Sequence, residues 1–228
     1  MTGLASSSYR SPNILELFKN INLGGGITEK GDPNLKSERS LYFEYGLHYE
    51  GETFRANTAL YSNSIDDYIQ SSRVSSSLYR MDNVGKAEIM GVEQDMEWDF
   101  YEGFTAYGNI AYARGKNDTT HEPLRFIAPL NGLAGLRQRM ESGFWWAFEG
   151  RWAASMDNTP SGVNHSDAWL VLNARAGYGF MLGGLRNEIV AGIDNILDKA
   201  YHNYLATSRG IELMEPGLNA YATWRVKF

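Results

Sequence analysis

The chain has 228 residues, with 21 Lys and Arg against 27 Asp and Glu, a formal net charge of −6 and a sequence pI near 5.3. That balance argues against the basic face that nucleic-acid binding needs. The absence of cysteine excludes a disulfide framework, a thiolate metal site and a Cys nucleophile.

Mean hydropathy is −0.39, and no stretch approaches the about 18 apolar residues of a membrane-spanning helix. A membrane barrel remains open, because its strands alternate lipid-facing and lumen-facing residues and keep a low mean hydropathy. Met1 to Ser6 offers neither a basic region nor an apolar run, so no signal peptide is expected there. The expectation is either a cytoplasmic protein or a chain that has lost its natural start.

In chain order, apolar residues recur with a period of two over ten segments: 2–10, 39–49, 53–63, 86–98, 103–114, 130–140, 143–153, 168–179, 186–194 and 218–228. In 39–49, Leu41, Phe43, Tyr45, Leu47 and Tyr49 alternate with Tyr42, Glu44, Gly46 and His48. The last segment sets Leu218, Ala220, Ala222, Trp224, Val226 and Phe228 on one face, opposite Asn219, Tyr221, Thr223, Arg225 and Lys227. A helix would need apolar residues three and four apart, which this segment does not offer.

Connections alternate without exception. Short turns fall near 50–52, 101–102, 141–142 and 183–184, and long ones at 11–38, 64–85, 115–129, 154–167 and 195–217. Outer-membrane barrels have this pattern, with short periplasmic turns and long external loops. A soluble β-sandwich would have shorter strands and turns of mixed length. Aromatic residues near the short-turn ends suit an interfacial girdle: Tyr49, Phe54, Trp98, Tyr101, Phe104, Phe144, Trp145, Tyr178, Phe180 and Phe228. Parity puts Glu44, Arg55, Glu93, Asp95, Glu97, Arg137, Arg139, Glu149, Arg151, Arg175, Arg225 and Lys227 on the inward face. An Arg or Lys on the lipid face would cost about 2–4 kcal/mol near the midplane.

Several segments then resemble motifs of one family. Tyr9-Arg10-Ser11-Pro12 through Phe18 is similar to the "FRAP" box of TonB-dependent outer-membrane receptors, and Gly31-Asp32-Pro33-Asn34-Leu35-Lys36-Ser37-Glu38 to their "NPxL" box. Asp82 to Ala87, followed by Gly91-Val92-Glu93, resembles a strand entry in these barrels. Asn195-Ile196-Leu197-Asp198-Lys199-Ala200-Tyr201 resembles the segment before the last strand, which ends on an aromatic residue, here Phe228.

The resemblance implies an all-β antiparallel transmembrane barrel segment of about ten strands, an open part of a 22-stranded barrel. The amino-terminal plug and the earlier strands are expected to lie outside this sequence. It also implies residence in the outer membrane, contact with its lipid, and uptake of a scarce nutrient, foremost an iron–siderophore complex. The TonB energy complex would act only through the missing part. Trp224, Val226 and Phe228 would be read by the assembly machinery.

No catalytic constellation and no cofactor site emerge. Asp66 and Asp67 are adjacent, and adjacent strand residues point to opposite faces, which weakens an omptin-like protease reading; a small passive porin is the other alternative. Loop carboxylates Asp66, Asp67, Asp118 and Asp157 read as solvated rather than metal-binding. Ligand contacts are expected among the loop residues Arg73, Tyr79, Arg80, His121, Arg125, His165, His202, Tyr204 and Arg209, because an anionic chelate suits charge-assisted Arg donors and Tyr stacking faces. Haem or another metal complex is the alternative substrate, disfavoured because Lys19 to Lys30 contains no His.

Overall fold

The computed structural model describes residues 1–160, 163, 165–208 and 211–227. In chain order the elements are β1 (Thr2–Arg10), α1 (Ile14–Phe18), β2 (Asn20–Gly24), β3 (Ile27–Lys30), β4 (Glu38–Glu50), β5 (Phe54–Asp66), β6 (Ile69–Ser75) and β7 (Leu78–Asn83). They continue with β8 (Ala87–Tyr101), β9 (Phe104–Asn117), β10 (Asn131–Arg139), β11 (Phe144–Ala153), β12 (Trp169–Leu182), β13 (Leu185–Asp194), β14 (His202–Ser208), β15 (Ile211–Met214) and β16 (Asn219–Lys227).

Ten strands form one sheet in the order β1-β4-β5-β8-β9-β10-β11-β12-β13-β16. Every pairing in it is antiparallel. These are the ten segments with a period of two. The sheet is open, with β1 and β16 at its two edges. Turn chemistry fixes the register at the short-turn end. Gly183 and Gly184 both have positive φ (58° and 78°) between the paired Leu182 and Leu185, the two-residue turn whose twist matches that of the strands.

The two faces differ as parity requires. On one face, Arg55 pairs with Asp99 at 2.9 Å, and Glu97 pairs with Arg137. Across the next strands Glu149 accepts from Tyr107 at 3.2 Å and from Arg175 at 3.1 Å, and Glu188 accepts from Trp145 Nε1 at 3.2 Å. This charged ladder is the lumen wall. Trp145 belongs to it, which corrects its expected place in the lipid girdle; its position in β11 points it inward, where its indole nitrogen reaches Glu188.

The opposite face carries Phe43, Tyr45, Trp98, Phe148 and Trp224, all exposed, a surface suited to lipid rather than water. Several polar groups on that face are paired. Thr58 donates to Gln94, Trp146 Nε1 to Gln138 at 2.8 Å, and Trp224 Nε1 to Asn187 at 3.0 Å.

The long connections are folded as well. A four-stranded sheet in the order β2-β3-β7-β6 and the hairpin β14–β15 were not expected from the sequence. A small core of Ile65, Ala87 and Leu124, with Tyr68, Ile89 and Ile127 against it, ties the loops to the strand ends.

Candidate functional site

The motif residues turn out to be staples at the long-loop end. Arg10, at the end of β1, donates to Glu38 at 2.7 Å and to Glu16 at 3.0 Å, joining the two boxes. Asn13 caps α1 through a reciprocal pair with Glu16: the Asn13 side chain accepts from the Glu16 amide, and the Glu16 carboxylate from the Asn13 amide. Asp32 accepts from the Asn34 amide at 2.8 Å and starts the turn through Pro33 and Leu35. Its own amide donates to the Glu16 carbonyl. Asn83 accepts from the Lys36 amide and donates to the carbonyls of Lys36 and Asp67.

Farther along, Asn195 accepts from the Lys199 amide and donates to the carbonyls of Lys199 and Pro216, while Asp198 accepts from the Leu218 amide. Tyr201 packs at a tilt against Trp169, with ring centroids 4.6 Å apart. Tyr9 and Pro12 make no comparable bond among those described; Tyr9 is exposed and Pro12 half-buried. The paired motif residues set where the loops leave the barrel.

Above these staples, one face of the loop sheet gathers polar side chains. Arg73 on β6 is directly opposite Tyr79 on β7, and Tyr79 is opposite Glu29 on β3, so all three share that face. Arg125, from the 118–130 connection, stacks over the Tyr79 ring with its guanidinium carbon 5.6 Å from the centroid. Lys19 holds Glu29 at 2.8 Å. Burial pushes the Glu29 carboxyl up, but the Lys19 ammonium and its neighbours outweigh this and leave it below the usual carboxylate range. Arg73 donates to the Ser75 carbonyl at 3.2 Å, and among the described residues neither Arg73 nor Arg125 is in an ion pair, although the Arg125 charge helps to lower Glu29.

Tyr204 on β14 comes in from a fourth connection and is 6% exposed. Its hydroxyl is raised above the ordinary tyrosine value, first by burial; the nearby Arg125 charge and Phe126 amide oppose the shift. Phe126 itself sits at φ 61°, a left-handed conformation rare for a bulky residue, and leaves its ring 63% exposed beside Arg125. Two arginines, two tyrosines and an exposed phenylalanine are thus brought near one another between the loops.

The other expected contacts scatter. Arg80 lies on the opposite face of the loop sheet, 3.8 Å from Asp32. His121 is exposed at φ 61°, and His165 is exposed in the connection before β12. His202 lies opposite Met214 on the β14–β15 hairpin, with its Nε2 buried and unpaired. Arg209 and Phe228 lie outside the described residues. Asp66 and Asp118 are taken up by Lys86 at 3.6 Å and Lys116 at 3.2 Å. Among the described residues, no three His, Asp or Glu side chains converge as metal ligands. The sequence did not mark Lys19, Glu29 or Phe126, whose roles depend on a sheet formed between distant loops.

Residues 3–196 match the family model for the TonB dependent receptor-like β-barrel. The chain belongs to the TonB-dependent receptor β-barrel family. Its long-loop end is therefore the extracellular end of an outer-membrane barrel. It is 23% identical over 272 residues to the ferrienterobactin receptor of Escherichia coli (strain K12), covering 97% of this chain and 35% of that protein. Among solved structures it superposes on the copper transporter OprC with a TM-score of 0.81 at 24% identity, covering 97% of this chain and 34% of OprC.

The ferric enterobactin receptor PfeA of Pseudomonas aeruginosa superposes with a TM-score of 0.72 at 19% identity, over 97% and 37% of the two chains. The siderophore receptor PirA of Acinetobacter baumannii gives 0.70 at 18%, over 97% and 38%. At these identities the structural likenesses establish the fold. The chain spans about a third of the length of the relatives it matches.

Proposed function

We propose that this TonB-dependent receptor barrel takes up an iron–siderophore complex, and that Arg73, Tyr79, Arg125 and Tyr204 form part of its extracellular capture site. The observation that carries the reading is the pair of guanidiniums gathered between the loops beside aromatic rings, neither in an ion pair among the described residues. Arg supplies charge-assisted donors to a chelate's anionic oxygens, and the rings supply stacking faces. That the E. coli relative and PfeA are ferric enterobactin receptors and PirA a siderophore receptor supports a siderophore as ligand. Passage inward would proceed through a plug and the TonB energy complex, and insertion would use the outer-membrane assembly machinery; these partners are inferred from the family.

The test is equilibrium binding of ferric enterobactin to the complete receptor. Arg125→Ala and Arg73→Ala should each weaken binding about tenfold or more, the loss of one charge-assisted bond. Unchanged affinity in both variants would remove the site. Receptor-dependent growth on haem requiring His121, His165 or His202 would replace the ligand class.

A further inference from the structure

The inner wall of the barrel is divided by charge. Four consecutive inward positions on β8 are Glu93, Asp95, Glu97 and Asp99. Arg55 and Arg137 pair with the last two, while neither Glu93 nor Asp95 is in an ion pair among the described residues. From β10 to β16 the sign reverses, and cations outnumber carboxylates at the inward positions. Glu149 and Glu188 take up Arg175 and Arg225 there, at 3.1 and 3.4 Å.

Three cations are left over at the short-turn end of this basic sector. Arg139 lies two residues past Arg137 on β10. Arg186, two residues before Glu188, is directly opposite Lys227. All three are exposed, and none is in an ion pair among the described residues. Like charges directly opposite on neighbouring strands repel, so the Arg186–Lys227 pairing favours an anion between its members. With Trp145 the three line a concavity of about 1090 Å³ that reaches from β9 to β16. Trp145 is directly opposite Arg139, and its indole lies over Gly177, where an added Cβ would come within 2.6 Å of the ring. One ring face is therefore on the wall and the other is turned to the lumen. A guanidinium beside an aromatic face repeats, at the periplasmic end, the chemistry of Arg125 over Tyr79 at the extracellular end.

We propose that this concavity is an exit site for the anionic ferric chelate, whose oxygens contact Arg139, Arg186 and Lys227 beside the Trp145 ring. The proposal rests on the siderophore reading above and adds a second contact point at the opposite end of the barrel. An anion moving inward is drawn to the β10–β16 wall and repelled by the β8 carboxylates, because low-dielectric walls focus the field of their charges into the lumen. Charge-assisted donors then hold it at the mouth.

The test compares surface binding and uptake of radiolabelled ferric enterobactin by cells carrying the complete receptor. Arg139→Gln, Arg186→Gln and Lys227→Gln combined should leave the affinity and the number of surface sites unchanged. The same variant should lower the uptake rate at saturation about tenfold, the low end of what a charge-lined cleft contributes to a rate. Arg139→Lys with Arg186→Lys should keep most of the rate, a rescue by charge that a purely steric role does not predict. Glu93→Gln, in the acidic sector, should not slow uptake. Wild-type uptake by the triple Gln variant overturns the exit site and leaves the siderophore reading standing. Failure of the wild-type receptor to bind ferric enterobactin removes that reading and the cargo of this site together. Slower uptake with new sensitivity to vancomycin would show that these cations hold a segment that closes the lumen, and this also overturns the proposal.

Discussion

Arg10 spans two carboxylates, donating from Nε and Nη2 to Glu38 at 2.7 Å and from Nη1 to Glu16 at 3.0 Å. Glu38 is 8% exposed and also accepts from the Ile69 amide at 2.8 Å, so a single guanidinium ties β1, α1, β4 and the start of β6 together. Removing it strands a buried carboxylate. Arg10→Ala should cost about 1–3 kcal/mol, less than for a fully buried pair because Arg10 itself is partly exposed. Arg10→Lys should be only a partial rescue, since an ammonium lacks the fork that reaches both acids. Urea unfolding of the complete receptor, followed by tryptophan fluorescence, reads both, and equal stability of Arg10→Ala and wild type contradicts the staple role.

Asn83 holds two connections at once through its three bonds to Lys36 and Asp67. Asn83→Ala should lose about 1–3 kcal/mol locally, because backbone groups near the loop base lose their partners. The expected readout is faster protease cleavage within 67–86 with the ten barrel strands intact. Weaker ferric enterobactin binding should accompany it, because Arg73 and Tyr79 ride on that segment. Cleavage at the wild-type rate would show that the loop is held by other contacts.

The ten barrel strands were legible because the membrane enforces parity. A one-residue slip would turn every charge of a strand toward lipid, so the pattern has to be written in each strand. The loop sheet had no such constraint. Segment 69–75, Ile-Gln-Ser-Ser-Arg-Val-Ser, buries neither face fully and shows no clean alternation. Its sheet also depends on a parallel pairing of Thr28–Lys30 with Leu78–Arg80, which no local signal announces. The box containing Asn13 and Glu16 did carry a local signal, the Asn-x-x-Glu capping pattern that starts α1. Arg73 and Tyr79 were singled out for their chemistry, and their common face became visible only once the register was known. Trp145 failed as a girdle residue because proximity to a turn does not decide which way a strand residue points.

The Glu29 carboxyl is held below its ordinary value, so its contribution to the loop sheet is present above the unfolded carboxylate pKa of about 4.3 and is lost as pH falls through the lower folded value. The protection of the β2 and β3 amides against hydrogen exchange, relative to the intrinsic rate at each pH, should therefore fall in acid, below about pH 4. Lys19→Met should abolish most of that pH dependence by removing the principal group that lowers the carboxyl. An identical acid response in wild type and variant would show that other groups govern the loop.

On the outer face near the short-turn end, Trp224 donates to Asn187, which is 2% exposed and itself donates to the Leu185 carbonyl at 3.0 Å. Trp224→Phe keeps an aromatic ring in the girdle but leaves the Asn187 oxygen unpaired in a water-poor setting, at about 1–2 kcal/mol. Asn187→Leu in the same background should recover much of it, since an apolar pair needs no bond there. Heat-modifiable mobility of the assembled receptor on gels measures the series. A double variant no more stable than Trp224→Phe would show that the ring, rather than its bond, carries the effect.

The final prediction concerns the two sheet edges. β1 and β16 each pair on one side only, with β4 and with β13, and β1 is exposed along its whole length. In hydrocarbon every unpaired backbone group costs several kcal/mol, so an open sheet is not a stable membrane structure. Closing these ten strands on themselves would give a narrow barrel, because diameter grows roughly linearly with strand number. Tyr42, Trp145, Arg175 and the rest of the inner ladder would then compete for a lumen that side chains largely fill. Expressed by itself, the 228-residue chain should aggregate or remain protease-sensitive and give no conductance in planar bilayers. Complementary strands supplied in trans should protect it by pairing both edges. A monodisperse channel formed by the chain alone, with backbone bonds between β1 and β16, would show that ten strands suffice.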